Sequence, residues 1–160
     1  MRAVTLFVVR HAHAGQRSAW AGDDRLRPLS ERGEAQARSI AATLAAWDPT
    51  PVRLLTSPSR RCVQTVEPLA GKLGLRADED ARLFEGAGRA EVVRLLGEVG
   101  GDDVVLCSHG DVIPILVDLL VAEGLRPEHD LRWQKASVWV AEGTAGAWGR
   151  GRYLPPPDRA

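Results

Sequence analysis

The sequence predicts an α/β protein, a three-layer α/β/α sandwich with a mainly parallel central sheet. Three observations carry this reading. Residues 4–9 and 104–107 are continuous apolar runs rich in β-branched side chains, the pattern of strands buried on both faces. Stretches of helical periodicity alternate with the strand signals. The resulting order is strand, helix, strand, helix, then strand, helix, strand, which places helices on both faces of one sheet.

The first strand, residues 4–9, ends abruptly in Arg10, His11 and His13. A strand buried on both faces cannot also bury Arg10 and His11 without partners. Both should therefore emerge at its carboxyl end, the edge at which open α/β sheets bind ligands. Residues 14–29 read as a polar loop containing Trp20, Gly22, Asp23, Asp24 and Pro28. Ser30 is a good N-cap. Ala37, Ile40, Ala41, Leu44 and Ala45 then share one helical face, and Asp48-Pro49-Thr50-Pro51 ends that helix. Residues 52–56 make a short second strand. Ser57-Pro58-Ser59 opens the next helix, with Val63, Val66, Leu69, Ala70 and Leu73 inward. Pro68 should kink it, and Gly74 should end it.

Residues 75–84 are read as a short strand and then a loop. Residues 91–99 are amphipathic, with Val92, Leu95, Leu96 and Val99 facing in. The strand at 104–107 ends in Ser108-His109-Gly110-Asp111, and a helix over about 112–123 follows. Residues 136–141 are the last expected strand. The Gly- and Pro-rich stretch 143–160 is expected to lie loosely on the surface. The chain is thus divided into a domain, 1–142, and a C-terminal tail, 143–160, packed on it or extending from it.

The 160 residues, 44% of them hydrophobic, suffice for one substantial core. A formal net charge of zero argues against a nucleic-acid partner. No segment approaches the ~18 apolar residues of a membrane span. The chain opens on a core strand, so no signal peptide is expected. Cys62 and Cys107 sit in apolar contexts and suit buried thiols in a reducing cytoplasm better than a disulfide. The expected localisation is cytoplasmic, with neither nucleic acid nor membrane as partner.

Three strand exits carry cationic groups or imidazoles: Arg10 with His11, Arg60 with Arg61, and His109 between Ser108 and Gly110. In a parallel sheet these exits lie along one edge. Two guanidiniums and two imidazoles in one cleft suit a phosphoryl group, because the forked donors of Arg match phosphate oxygens. Helix N-termini after Ser57 and Gly110 would add backbone N–H groups. Each exit alone has a plainer reading, as a polar sheet edge, a solvated charge or a helix cap. Three together are much harder to explain that way.

Arg10-His11-Ala12 resembles the Arg-His-Gly or Arg-His-Ala signature of the histidine phosphatase (phosphoglycerate mutase-like) superfamily. Leu29-Ser30-Glu31-Arg32-Gly33 through Gln36-Ala37 resembles its following helix start. Ser57 through Arg61-Cys62-Val63-Gln64-Thr65 matches its Ser…Arg-Ala-x-Gln-Thr pattern, with Cys62 in place of Ala. Ser108-His109-Gly110 matches its second histidine. The four blocks stand in family order and span most of residues 4–115. The short length and the Arg-His-Ala variant are most similar to the small bacterial phosphohistidine phosphatases. Residues 20–29 also resemble the phosphatase-like domain that some Nudix hydrolases carry, although no Nudix motif is present.

The resemblance implies a metal-independent phosphatase, with no cofactor, acting through a covalent phosphohistidine on His11. His11 must be neutral to attack, and nearby Arg10 and Arg61 would lower its pKa. By the same matching, Arg10, Arg61 and His109 bind the phosphoryl oxygens, with Arg61 preferred to Arg60. Glu85 resembles the general acid that protonates the leaving group. Asp111, Asp24 and Glu79 are its rivals. The substrate is expected to be either a phosphohistidine protein or a small phosphomonoester or nucleotide. The alternative is a non-catalytic phosphate-binding regulatory module on the same fold. His13 is extra; a metal pair with His11 lacks the further ligands it would need, so His13 or Arg17 is expected at the pocket mouth. His129 is read as a surface residue, and Trp20, alone among the five tryptophans, as a residue beside the site loop and within reach of substrate.

Overall fold

The computed structural model describes residues 2–157. Its centre is a seven-stranded sheet made of β1 (Val4–Arg10), β2 (Arg53–Thr56), β3 (Ala77–Glu79), β4 (Val104–Ser108), β5 (Arg126–Pro127), β6 (Val138–Thr144) and β7 (Ala147–Leu154), in the order β3-β2-β4-β1-β6-β7-β5. Strands β3, β2, β4 and β1 run parallel. β6 is antiparallel to β1 and to β7, and β5 lies parallel to β7 at the far edge. Among the described residues, four α-helices cover the sheet: α1 (Glu31–Ala45), α2 (Arg60–Leu73), α3 (Arg89–Val99) and α4 (Ile113–Ala122). The mixed α/β sandwich expected from the sequence is the observed fold.

The two-residue period of the strands divides the core. Leu6 and Val8 of β1, with Val104 and Leu106 of β4, face Val92 and Leu95 of α3 and Leu116 and Leu120 of α4. Phe7 and Val9, with Val105 and Cys107, face Ala37, Ile40 and Leu44 of α1 and Val66 and Leu69 of α2. Both faces of β1 and β4 are therefore dry, which is why their sequences carry no polar alternation.

The helix signals fall where the sequence places them. The Ser30 side chain accepts from Gly33 N–H at the start of α1. Gly74 ends α2 in the left-handed region, φ 66°. Pro68 lies inside α2. The inner face of α2 differs from the apolar reading: Val63 and Leu73 are only half-buried, while Arg61 and Thr65 are buried. Both polar side chains face the site and not the apolar core.

The expectation of a loose tail from residue 143 is corrected. Residue 142, the expected domain boundary, lies inside β6, and β7 pairs with β6 along its length. The eight-residue β7 is masked in the sequence by its Gly content, and β5, two residues long, lies outside the tail and is too short to show a strand pattern. Trp148 and Tyr153 of β7 are buried, and the Tyr153 ring lies 5.2 Å from Trp139 of β6. Their burial outweighs the weak strand propensity of Gly149 and Gly151. At Gly151 a side chain would press on Leu125, so the missing Cβ is what lets the β5 approach close. Residues 158–160 of the expected tail lie outside the described residues. Among the described residues, no helix is long and apolar enough to cross a membrane.

Candidate active site

Because β1, β2 and β4 are parallel, their carboxyl ends share one edge. Arg10 is in register with Ser108, His11 N–H donates to Ser108 O, and Ser57 N–H donates to Cys107 O. These bonds bring three distant segments to one point. A cleft of about 480 Å³ opens there, walled by Arg10, His11, Arg61 and Glu85 and rimmed by His13, Arg17, Arg27 and Lys135.

His11 is 4% exposed. Its Nδ1 lies 2.8 Å from Ala12 O, and a carbonyl can only accept, so Nδ1 carries the proton and Nε2 the lone pair. Among the described residues no hydrogen-bond partner reaches Nε2. Burial holds the His11 pKa well below the usual imidazole value; the Ala12 carbonyl opposes this, and His109, Arg61 and Arg10 add to it. The ring is therefore neutral at physiological pH. The His109 ring lies 5.4 Å away, centroid to centroid.

Arg61, 1% exposed, enters from the first turn of α2, whereas Arg60 points to solvent. The Nη1 of Arg61 donates to Asp24 O at 2.8 Å, and its Nη2 lies 3.1 Å from Asp24 Oδ2 and 3.6 Å from Glu85 Oε1. Arg10 donates from Nη1 to Trp133 O at 2.8 Å. The Nε–H groups of both Arg10 and Arg61 are buried and have no acceptor among the described residues. Buried donors of this kind are costly unless an anion satisfies them. Burial also lowers the Arg10 pKa, against the pull of Tyr153 and Asp111.

His109 has Nε2 2.8 Å from Ser57 Oγ and 3.5 Å from Cys62 Sγ, and Nδ1 3.9 Å from Glu85 Oε1. Gly110 follows because a Cβ there would meet the Arg10 guanidinium at 2.8 Å. Glu85 is held in place from two sides. Arg17 Nη2 donates to both its oxygens at 2.9 Å. Its loop is tied down by Ser108 Oγ donating to Leu83 O and Gly86 N–H donating to Asp111.

The rivals to Glu85 have other places. Asp111 is occupied by Gly86. Partial burial works against the charge on Asp24, but Arg27, Arg61 and Arg17 outweigh it and keep the carboxylate ionised. Glu79 is an exposed residue of β3 that does not line the cleft. His13 and Arg17 both line the mouth, and His13 Nδ1 lies 2.7 Å from Ser30 Oγ. Trp20 faces a neighbouring depression with Pro28 and Leu29, and His129 is exposed. Among the described residues, no three His, Cys, Asp or Glu side chains converge to hold a metal ion.

Several supporting residues carry no site role in the sequence reading, although Gln36, Gln64 and Thr65 stand within its motifs. Thr65 Oγ1 accepts from Ala12 N–H at 3.0 Å and donates to Arg61 O at 2.6 Å. Gln36 Oε1 accepts from His13 N–H, and Gln64 Oε1 from Leu29 N–H. These three polar residues sit beside apolar core positions of α1 and α2, which is the signal that could have revealed them. A Cβ at Gly33 would run into the His13 carbonyl, so the first turn of α1 packs directly on the His11 loop. Lys135 and Arg27 carried no local signal at all.

The chain is similar to known proteins in sequence and in fold. The family described as Histidine phosphatase superfamily (branch 1) matches residues 6–93. An 8-oxo-(d)GTP phosphatase of Mycolicibacterium smegmatis is 38% identical over 162 aligned positions, which cover 96% of this chain and 49% of that protein. The chain thus spans about half the length of that relative. Among solved structures, the protein histidine phosphatase SixA complexed with tungstate superposes with a TM-score of 0.76 at 24% identity, covering 96% of this chain and 97% of the other. A mycobacterial glucosyl-3-phosphoglycerate phosphatase gives 0.67 at 22% identity, covering 92% and 96%. At these identities the two structures attest the fold. With the family match extending over more than half of its residues, the chain belongs to the histidine phosphatase superfamily.

Proposed function

We propose that this chain is a phosphatase that transfers the phosphoryl group of a phosphorylated small molecule or phosphohistidine protein to His11 and then to water. The observation that carries this is a neutral, buried imidazole whose only free nitrogen, Nε2, sits in a cleft with unpaired guanidinium donors. In the first step Nε2 attacks phosphorus, the bond to the leaving group breaks, and Glu85 supplies the proton that group needs. In the second step water attacks the phosphohistidine, gives its proton to the Glu85 carboxylate, and the P–N bond breaks. Phosphate leaves and neutral His11 returns.

Arg10, Arg61 and His109 bind the phosphoryl oxygens and meet the charge that grows on them, without a metal ion. Arg61 Nη2, which can only donate, lies 3.5 Å from His109 Nδ1, so His109 carries its proton on Nε2 and donates it to Ser57 Oγ, which also accepts from Ser59 N–H. The fold shared with a tungstate-binding phosphatase supports this reading.

The test is hydrolysis of a chromogenic aryl phosphate with excess chelator, by wild type and His11→Ala. Chelator-resistant turnover that falls at least about 10³-fold in His11→Ala is expected. Turnover surviving in the variant overturns the covalent route. Phosphate that raises the melting temperature of an inactive wild type would instead favour a binding module.

A further inference from the structure

The cleft holds more positive charge than one phosphoryl group requires. Arg10 and Arg61 supply the unpaired donors already described. Beyond them stand Arg27, whose Nη1 donates to Ala14 O and whose Nε pairs with Asp24, and Lys135. No carboxylate lies within ion-pair distance of Lys135 among the described residues. The carboxylates near the cleft are engaged elsewhere: Asp24 with Arg17, Arg27 and Arg61, and Glu85 chiefly with Arg17.

The position of Lys135 is built. Its neighbour Ala136 adopts φ 67°, a conformation L residues rarely take. Ala136 N–H donates to both Arg10 O and His11 O, at 3.2 and 3.0 Å. The Arg10 guanidinium, in turn, holds Trp133 O. The turn before β6 is thus clamped onto the exit of β1, and Lys135 is brought to the cleft beside the residues that would hold the transferred group. Burial, then the charges of Arg10, Arg27 and Arg61, lower the Lys135 pKa, as expected for an ammonium among guanidiniums.

From this juxtaposition we infer that Lys135, with Arg27, forms a second anion subsite, and that the preferred substrate is a phosphoanhydride, whose transferred phosphoryl group is attached to another phosphate. A lone phosphomonoester would leave Lys135 without a counterion inside the cleft, and the one carboxylate beside Arg27, that of Asp24, is shared with Arg17 and Arg61. A second phosphate satisfies Lys135 and Arg27 with charge-assisted bonds. The inference rests on the cleft being the phosphoryl site.

The test measures binding of methylphosphonate, methylenebisphosphonate and phosphonoacetate by calorimetry in metal-free buffer. Wild type should bind the bisphosphonate at least about tenfold more tightly than methylphosphonate. That ratio should fall to near one in Lys135→Gln and be kept in Lys135→Arg. A ratio near one in wild type, or an unchanged ratio in Lys135→Gln, overturns the subsite. Phosphonoacetate binding as tightly as the bisphosphonate overturns the anhydride assignment in favour of a carboxylate-bearing phosphate ester. Failure of all three ligands to bind overturns the phosphoryl site itself, a result distinguishable from loss of the ratio alone.

Discussion

His11 shows how one side chain is prepared for chemistry by its surroundings. The Ala12 carbonyl fixes the tautomer, and burial with three nearby cationic or imidazole groups disfavours the charged form. Because the neutral form is the nucleophile and its pKa is lowered, protonation is displaced to lower pH. The kcat/KM for an aryl phosphate should therefore hold as pH falls through 6.5 and decline only below it. A pH–rate profile with its acid limb at or above 6.5 would contradict this. Glu85 and not Asp24 is assigned the proton transfer because its carboxylate lines the cleft, 3.9 Å from His109 Nδ1, whereas Asp24 is not among the residues that line it.

At the scale of elements, the site is the meeting of strand exits with the first turns of helices. Thr65 on α2 satisfies the buried N–H of Ala12, and Gly110 after β4 makes room for Arg10. Thr65→Val leaves that N–H without an acceptor and should cost about 1–3 kcal/mol in denaturant unfolding. Gly110→Ala meets only the far end of a flexible side chain, so the fold should survive with a melting temperature near wild type. The displaced guanidinium should nonetheless lower kcat/KM at least about tenfold, since losing such a donor outright typically costs about 10²–10³. Equal losses of stability and activity in Gly110→Ala would sink this reading. The Ala136 turn belongs to the same scale, because it ties the element before β6 to the exit of β1.

For the whole molecule, the antiparallel half of the sheet is as structural as the parallel half. β6 covers β1, and β7 covers β6 while burying Trp148 and Tyr153. Large aromatics are worth about 3–5 kcal/mol each when removed from a core, against a total stability of about 5–15 kcal/mol. A chain truncated after Thr144 should therefore show no cooperative thermal transition. A truncated chain that unfolds cooperatively near the wild-type temperature would show that β7 is dispensable.

The parallel half of the fold and the principal cleft residues were legible in the sequence alone. Uninterrupted apolar runs announced β1 and β4, caps and periodicity announced the helices, and charged residues at strand ends announced the ligand edge. Arg10, His11, Arg61, Glu85 and His109 were named from local pattern and family resemblance, and the tertiary structure brings them together. Other features are decided only by contacts between distant segments. β7 is a strand because Trp148 and Tyr153 find a surface on β6 and its neighbours, which no local Gly-rich window can show. Thr65, Gln36 and Gln64 matter because of backbone groups they satisfy in another segment. Lys135 reaches the cleft only because a strained turn is clamped onto β1. Local pattern reports what a segment can bury and how it is capped; which charges and hydrogen-bonding groups share a cleft is settled by packing across long sequence separations.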